Sequence, residues 1–255
     1  MNKKEIFAHF SSIIDDMLEE SLFFSTYFQH PYSAENMYGS IDDPALPENI
    51  SIKFGATRGC IIDERSDYVV KFDVEEDIYG SACERESELY QRAKDLQLNK
   101  YFAECVYLGT YTKTIRFYDY DAIDKNLIWC DYDPIGFEEK FIAHEDDFGE
   151  IQNIVISIPL YAYPKAKPFY PIGKLGSFED NDYAQKAKKI SSPLRDENLV
   201  VAINFIREYG EEEYQRISSF MYEEDINDLH QANFADVGGH YTVIDYAGYH
   251  ECYEE

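Results

Sequence analysis

The sequence is short of positive charge: 23 lysines and arginines stand against 50 acids, for a net charge of −27. Such a field repels nucleic acid and anionic membrane surfaces, and the partner it favours electrostatically is a basic one. No stretch approaches the roughly 18 apolar residues needed to cross a bilayer. Met1–Glu5 lead into apolar positions broken by His9, Ser11, Ser12, Asp15 and Asp16, unlike the continuous apolar core of a secretory signal. The expectation is a soluble, cytoplasmic protein with no nucleic-acid or membrane partner. Cysteine is also sparse. The five (Cys60, Cys83, Cys105, Cys130 and Cys252) form no Cys-x-x-Cys pair and none has a histidine at zinc-ligand spacing, so they read as thiols in a reducing compartment. No Gly-x-Ser-x-Gly elbow, Walker lysine loop, internal repeat or low-complexity segment occurs. The 23 tyrosines, given the charge, read as packing and rim residues and not as a nucleobase-stacking surface.

What is present suits a sizeable core: 255 residues, 45% of them hydrophobic, make one domain or two small lobes sharing a cleft. Residues 4–24 carry Ile6, Phe7, Phe10, Ile13, Ile14, Met17, Leu18 and Leu22 at helical spacing, and 30–49 read as loop. From Ile52 the period becomes two. Ile52 and Phe54, the turn Gly55–Gly59, Cys60–Ile62, the turn Asp63–Asp67 and Tyr68–Phe72 give strand, glycine turn, strand, turn, strand. Residues 83–97 predict a helix, and 105–112 and 154–163 two further strands. Between these strands, 119–150 hold 11 acids against Lys125 and Lys140, the mark of a solvated insertion. Helices are expected over 196–209, with Asp196 as N-cap and Gly210 as terminator, and over 211–221. Loop and short strands are expected over 226–246.

The chemistry concentrates near the end. Asp228 is followed five residues on by Asn233, and Asp245 ends the strand-like Val243-Ile244 twelve residues beyond that. Phosphoryl transfer uses a carboxylate to orient the acceptor hydroxyl and hard oxygen ligands to hold magnesium against the phosphates. An Asp-x4-Asn loop with a later strand-end Asp supplies all three. Upstream, Lys71 closes Tyr68-Val69-Val70-Lys71 on the third strand, where kinases keep the lysine that holds the phosphates. Its partner glutamate comes from the next helix, which offers Glu84, Glu86 and Glu88.

Asp228-Leu229-His230-x-x-Asn233 and Ile244-Asp245-Tyr246-Ala247 resemble the Asp-Leu-His-x-x-Asn and Ile-Asp-(aromatic)-Ala elements of the aminoglycoside phosphotransferase branch of the protein-kinase-like superfamily. Ile226-Asn227 departs from that pattern just upstream, where His-Arg or His-Gly is usual. Arg85-Glu86-x-x-x-Tyr90-x-x-Ala93 resembles the charged, aromatic helix of bacterial and phage kinase-like proteins and selects Glu86, with Glu84 and Glu88 as alternatives. The resemblance implies an α+β, two-lobed protein-kinase-like fold: an antiparallel-sheet N-lobe with one key helix and a reduced, mostly helical C-lobe. The corresponding ranges are a helix and loop extension over 1–49, an N-lobe over 50–163 and a C-lobe over 164–255.

It further implies ATP with Mg2+ or Mn2+ as cofactors. Asp228, Lys71 and Glu86 are the catalytic residues, and Asn233 and Asp245 the metal ligands. Gly55, Arg58 and Gly59 form the phosphate-covering turn, and the backbone around Tyr161 and Tyr163 meets adenine. Ten residues follow Asp245, which leaves no room for an activation segment or for further pocket helices. The expected activity is therefore that of a minimal protein kinase acting on Ser, Thr or Tyr hydroxyls and not switched by loop phosphorylation. A small-molecule phosphotransferase, a pseudokinase-like acidic binding protein and an acidic nucleic-acid mimic are the other readings. The last leaves the ordered catalytic set unexplained.

Overall fold

A computed structural model describes residues 2–20, 39–41, 47–54, 58–73, 81–117, 152–168, 182–190, 199–227, 229 and 233–247. The acidic stretch 119–150, Gly55 and Asp228 lie outside the described residues. The chain is α+β and divides into two compact units, one comprising Met1–Ser81 with Tyr107–Ala162 and the other Ala82–Val106 with Tyr163–Glu255. Among the described residues no helix is long and apolar enough to cross a membrane.

Among the described residues, the first unit is a six-stranded sheet with one helix on it. Its strands are β1 (Gly39–Ile41), β2 (Ile50–Phe54), β3 (Arg58–Asp63), β4 (Tyr68–Asp73), β5 (Val106–Phe117) and β6 (Gln152–Pro164), hydrogen-bonded in the order β1-β2-β3-β4-β6-β5. The β1–β2, β2–β3 and β3–β4 pairs are antiparallel. Successive strand residues point to opposite faces. The period-two pattern therefore puts Ile52, Ile61, Val70 and Phe72 on one face, where they are fully buried. Helix α1 (Lys3–Glu20) covers that face with the apolar stripe its sequence predicts, through Phe10, Ile13 and Ile14. Burying each such side chain contributes about 1.5–3 kcal/mol. The helix is thus part of this unit's core and not an extension beside it. β1 falls where the sequence predicts loop. Its three residues carry no alternation of their own and exist as a strand because β2 offers an edge, Gly39 facing Phe54 and Ile41 facing Ile52.

A buried carboxylate, Asp63, closes the β3–β4 turn. It accepts hydrogen bonds from His9 Nε2 (2.9 Å), Asn49 Nδ2 (2.9 Å), and the backbone N–H and guanidinium of Arg65 (2.9–3.3 Å). Burial pushes its pKa up, but the bonds from Arg65, Asn49 and His9 outweigh that and hold it far below the ordinary carboxylate range.

The second unit is mostly helical: α2 (Ala82–Asp95), α3 (Asp182–Ala187), α4 (Leu199–Tyr209) and α5 (Glu211–Glu223), with a small sheet of β7 (Lys167–Pro168), β8 (Phe234–Val237) and β9 (His240–Val243). The sequence groups α2 with the sheet in 50–163, but packing groups it here. Its buried face, Leu89, Tyr90 and Ala93, joins Tyr101 and Phe102, Phe205 of α4 and Phe220 of α5 in one core. β8 and β9 form a hairpin across Gly238-Gly239, both with positive φ (63° and 91°), the two-residue turn that glycine permits and that matches strand twist. Gly239 N–H also bonds Asp236 Oδ1 at 2.7 Å.

Candidate functional site

The β8–β9 hairpin explains the twelve-residue spacing between Asn233 and Asp245. Phe234 faces Val243, and one step further out Ile244 N–H donates to Asn233 O at 2.8 Å. Asn233 and Ile244 thus continue the ladder beyond the two strands, and Asp245 is the next residue. The two proposed metal ligands stand at the same end of one hairpin. Asn233 is buried and Asp245 partly so.

The segment after Asp245 is clamped from several directions. Tyr246 N–H donates to Glu86 Oε1 at 2.8 Å and Ala247 N–H to the same oxygen at 3.3 Å. The Tyr246 hydroxyl donates to Ala103 O at 2.8 Å, its ring meets Phe102 edge-on at 5.1 Å, and Ala103 N–H bonds Val243 O at 2.8 Å. Glu86 is fully buried, and its other oxygen, Oε2, accepts the Tyr163 hydroxyl at 2.5 Å. A desolvated carboxylate costs several kcal/mol unless donors replace its water. Here a phenol and two backbone N–H groups do so. Glu84 and Glu88, the alternatives, are exposed.

The neighbouring Arg85 ties α2 to the chain approaching position 228. Its Nη2 donates to the carbonyls of Glu224 and Asp225, both at 3.2 Å, at the C-terminal end of α5. A cation on the last carbonyls of a helix satisfies acceptors that have no intrahelical donor. Two adjacent residues of α2 therefore hold both stretches that flank the proposed chemistry, residues 224–225 ahead of Asp228 and 246–247 behind Asp245.

In the first unit, Lys53 and Lys71 are both register partners of Cys60, and Arg58 is two residues from Cys60 on the same strand. Lys53, Arg58, Cys60 and Lys71 thus share the sheet face turned away from the α1 core, with Asp73, the register partner of Arg58, beside them. Burial pushes the Cys60 thiol pKa up, and Lys71, Lys53 and Arg58 pull against that. Three cations on one small face of a strongly acidic chain suit anionic oxygens. Gly59 is on the other face. A Cβ there would sit 2.3 Å from the Phe72 ring, so packing against Phe72 already demands glycine.

Tyr161 is buried with its ring 5.3 Å from Tyr107, and Tyr163 is buried against Glu86. Neither ring offers a free face, and a role in holding adenine would fall to their backbone. Among the described residues no group of three or more His, Cys, Asp and Glu side chains could hold a metal ion. The Asn233 and Asp245 pair fits magnesium differently, as two hard oxygen donors of the kind that accompany substrate phosphates and water.

Sequence reasoning missed Tyr163 as the partner of Glu86, Tyr246 as the clamp on Ala103, and Arg85 as the tie to α5. Nothing local marks the first two. The burial of Glu86 was legible, because Cys83, Glu86, Leu89, Tyr90 and Ala93 follow helical spacing along the buried face of α2. No family model, no curated protein and no solved structure matches the chain.

Proposed function

We propose that this chain is an ATP- and Mg2+-dependent phosphotransferase of the protein-kinase-like kind, with Mn2+ able to replace Mg2+. Asp228 orients the acceptor hydroxyl and takes its proton, Asn233 and Asp245 hold the metal, and Lys71 holds the phosphates. The metal, when bound, neutralises charge on the phosphate oxygens. The observation that carries this reading is the closure of Glu86 onto the two residues that follow Asp245. They are 160 and 161 residues apart in sequence and were assigned to one site on separate motifs. The positive face around Lys71 supports it further, since a phosphate-binding surface is what such a patch suits in a chain of net charge −27.

The proposed acceptor is a Ser, Thr or Tyr hydroxyl on a basic protein, because the field of the chain attracts cations. The same field favours a polycationic small molecule, and that is the second reading. The first experiment is thermal stabilisation by ATP with and without Mg2+. A rise in melting temperature that needs both is expected, and no rise under any metal condition removes the proposal. Transfer from γ-labelled ATP to basic proteins and to aminoglycosides then separates the two acceptor classes. In that assay Asp228→Asn is expected to cut transfer by roughly 10²–10⁴ while ATP binding stays within a few-fold.

A further inference from the structure

Asp245 sits between two backbone anchors. On one side Ile244 N–H is held by Asn233 O, and on the other Tyr246 N–H is held by Glu86 Oε1. The first anchor is the ladder of the hairpin itself. The second depends on a side chain, and the orientation of that side chain depends in turn on what holds its other oxygen. Glu86 Oε2 receives the Tyr163 hydroxyl at 2.5 Å, a bond between a phenol and a carboxylate with both residues inside the protein. Bonds to an ionised acceptor are about twice as strong as neutral ones. Tyr163 is 2% exposed, so its ring cannot swing out to water and release the carboxylate without breaking the packing around it.

We infer that Tyr163 is a positioning residue: acting through Glu86, its hydroxyl fixes the backbone of Tyr246 and Ala247 and thereby the placement of Asp245 toward the metal. The inference rests on the phosphotransferase reading for the metal, but not for the anchoring itself. The two oxygens of Glu86 divide the work. Oε1 grips the segment behind Asp245 and Oε2 is gripped by Tyr163. Without the hydroxyl, a buried carboxylate loses one of its donors and recovers by rotating or by admitting water. Each of these weakens its hold on the two N–H groups. Partners behind a metal ligand affect affinity in this way, by orienting the residue that touches the ion.

The test compares the full chain with Tyr163→Phe, which keeps the ring and removes the hydroxyl. The control is Tyr209→Phe, which removes a hydroxyl bonded to Tyr241 O at 2.9 Å in the same unit. Two quantities are read: hydrogen exchange at the amides of Tyr246 and Ala247, and the Mg2+ midpoint for stabilisation by saturating ATP. Tyr163→Phe is expected to speed exchange at both amides by about tenfold and to raise the Mg2+ midpoint by about tenfold or more. Tyr209→Phe should lower the melting temperature and move neither quantity. Unchanged exchange at both amides in Tyr163→Phe overturns the anchoring. Faster exchange with an unchanged Mg2+ midpoint overturns the positioning role and leaves a structural bond. If the wild-type chain shows no Mg2+-dependent ATP effect at all, the phosphotransferase reading and the metal-positioning role fail together, and the exchange measurement alone then decides the anchoring. Should Tyr163→Phe not fold, Glu86→Gln with the same two readouts takes its place. Faster exchange and a raised midpoint support the inference there, and unchanged values overturn it.

Discussion

Among the described residues each unit of the molecule buries one carboxylate, and the two are held in different ways. Asp63 in the first unit takes its bonds from its immediate surroundings: the backbone N–H and guanidinium of Arg65 two residues away, the amide of Asn49 just ahead of β2, and His9 on α1. Glu86 in the second unit takes its bonds from Tyr163 and from the backbone of Tyr246 and Ala247, 77 to 161 residues away. The first arrangement pins a helix to a β-turn and gives the unit its shape. The second fixes the chain next to a carboxylate, Asp245, that takes no part in the core. Burial alone therefore does not mark a functional carboxylate. What distinguishes the two is whether the bonds end on the carboxylate's own surroundings or on a distant segment, here the one beside the proposed metal ligand Asp245.

The comparison breaks most visibly at the positive face of the first unit. Lys71 lies on the side of the sheet away from the α1 core, so Lys71→Met is expected to leave the melting temperature nearly unchanged. Its phosphoryl transfer should fall by at least about two orders of magnitude. Near-normal turnover in this variant would separate that face from the chemistry.

The next effect is on stability. Asp63→Asn turns an amide donor toward the donors of Arg65 and Asn49 and is expected to cost about 2–4 kcal/mol of folding free energy. The Mg2+ midpoint should stay where it was. The pH dependence follows from the lowered pKa of Asp63 in the folded state. Its contribution is fully present above the unfolded value of 3.8 and is lost as the pH falls through the lower folded value. Denaturant titrations at pH 7 should therefore show the full gap between wild type and variant, and the gap should narrow below about pH 4. A gap that persists undiminished into strong acid would mean that charge is not what Asp63 contributes.

A smaller effect is expected at Gly59. Gly59→Ala drives a methyl into the Phe72 ring and should destabilise the chain by about 1–3 kcal/mol, with a second change, Phe72→Leu, recovering part of the loss. Recovery in the double variant, read by denaturant melts without nucleotide, assigns the glycine to packing. The smallest effect is expected at Arg65, whose side chain is 68% exposed. Arg65→Ala should cost no more than about 1 kcal/mol, because water and salt screen an ion pair at the surface, and less still in 1 M salt.

Much of this was legible in residue order. Period two from Ile52 to Phe72 and helical spacing over 4–24 and 83–97 placed the elements, because each element must bury one face and the face repeats with its own geometry. The spacing of Asn233 and Asp245 was equally local, since two four-residue strands joined by a Gly-Gly turn span it. Some features had no such signature. β1 is a strand only because β2 lends it an edge. Gly59 is glycine because of the Phe72 ring opposite, a fact fixed by register and not by the two-glycine pattern.

By itself, then, the sequence determined the periodicities, the charge and the order of the chemical groups, which are properties of neighbours along the chain. Only the tertiary structure decided that α2 packs with the helical unit and that Tyr163 and Tyr246 meet at Glu86. A buried carboxylate must draw its donors from whatever the fold brings within about 3 Å. Here two of those donors are backbone N–H groups, which every residue but proline carries, so no side-chain pattern could have announced them.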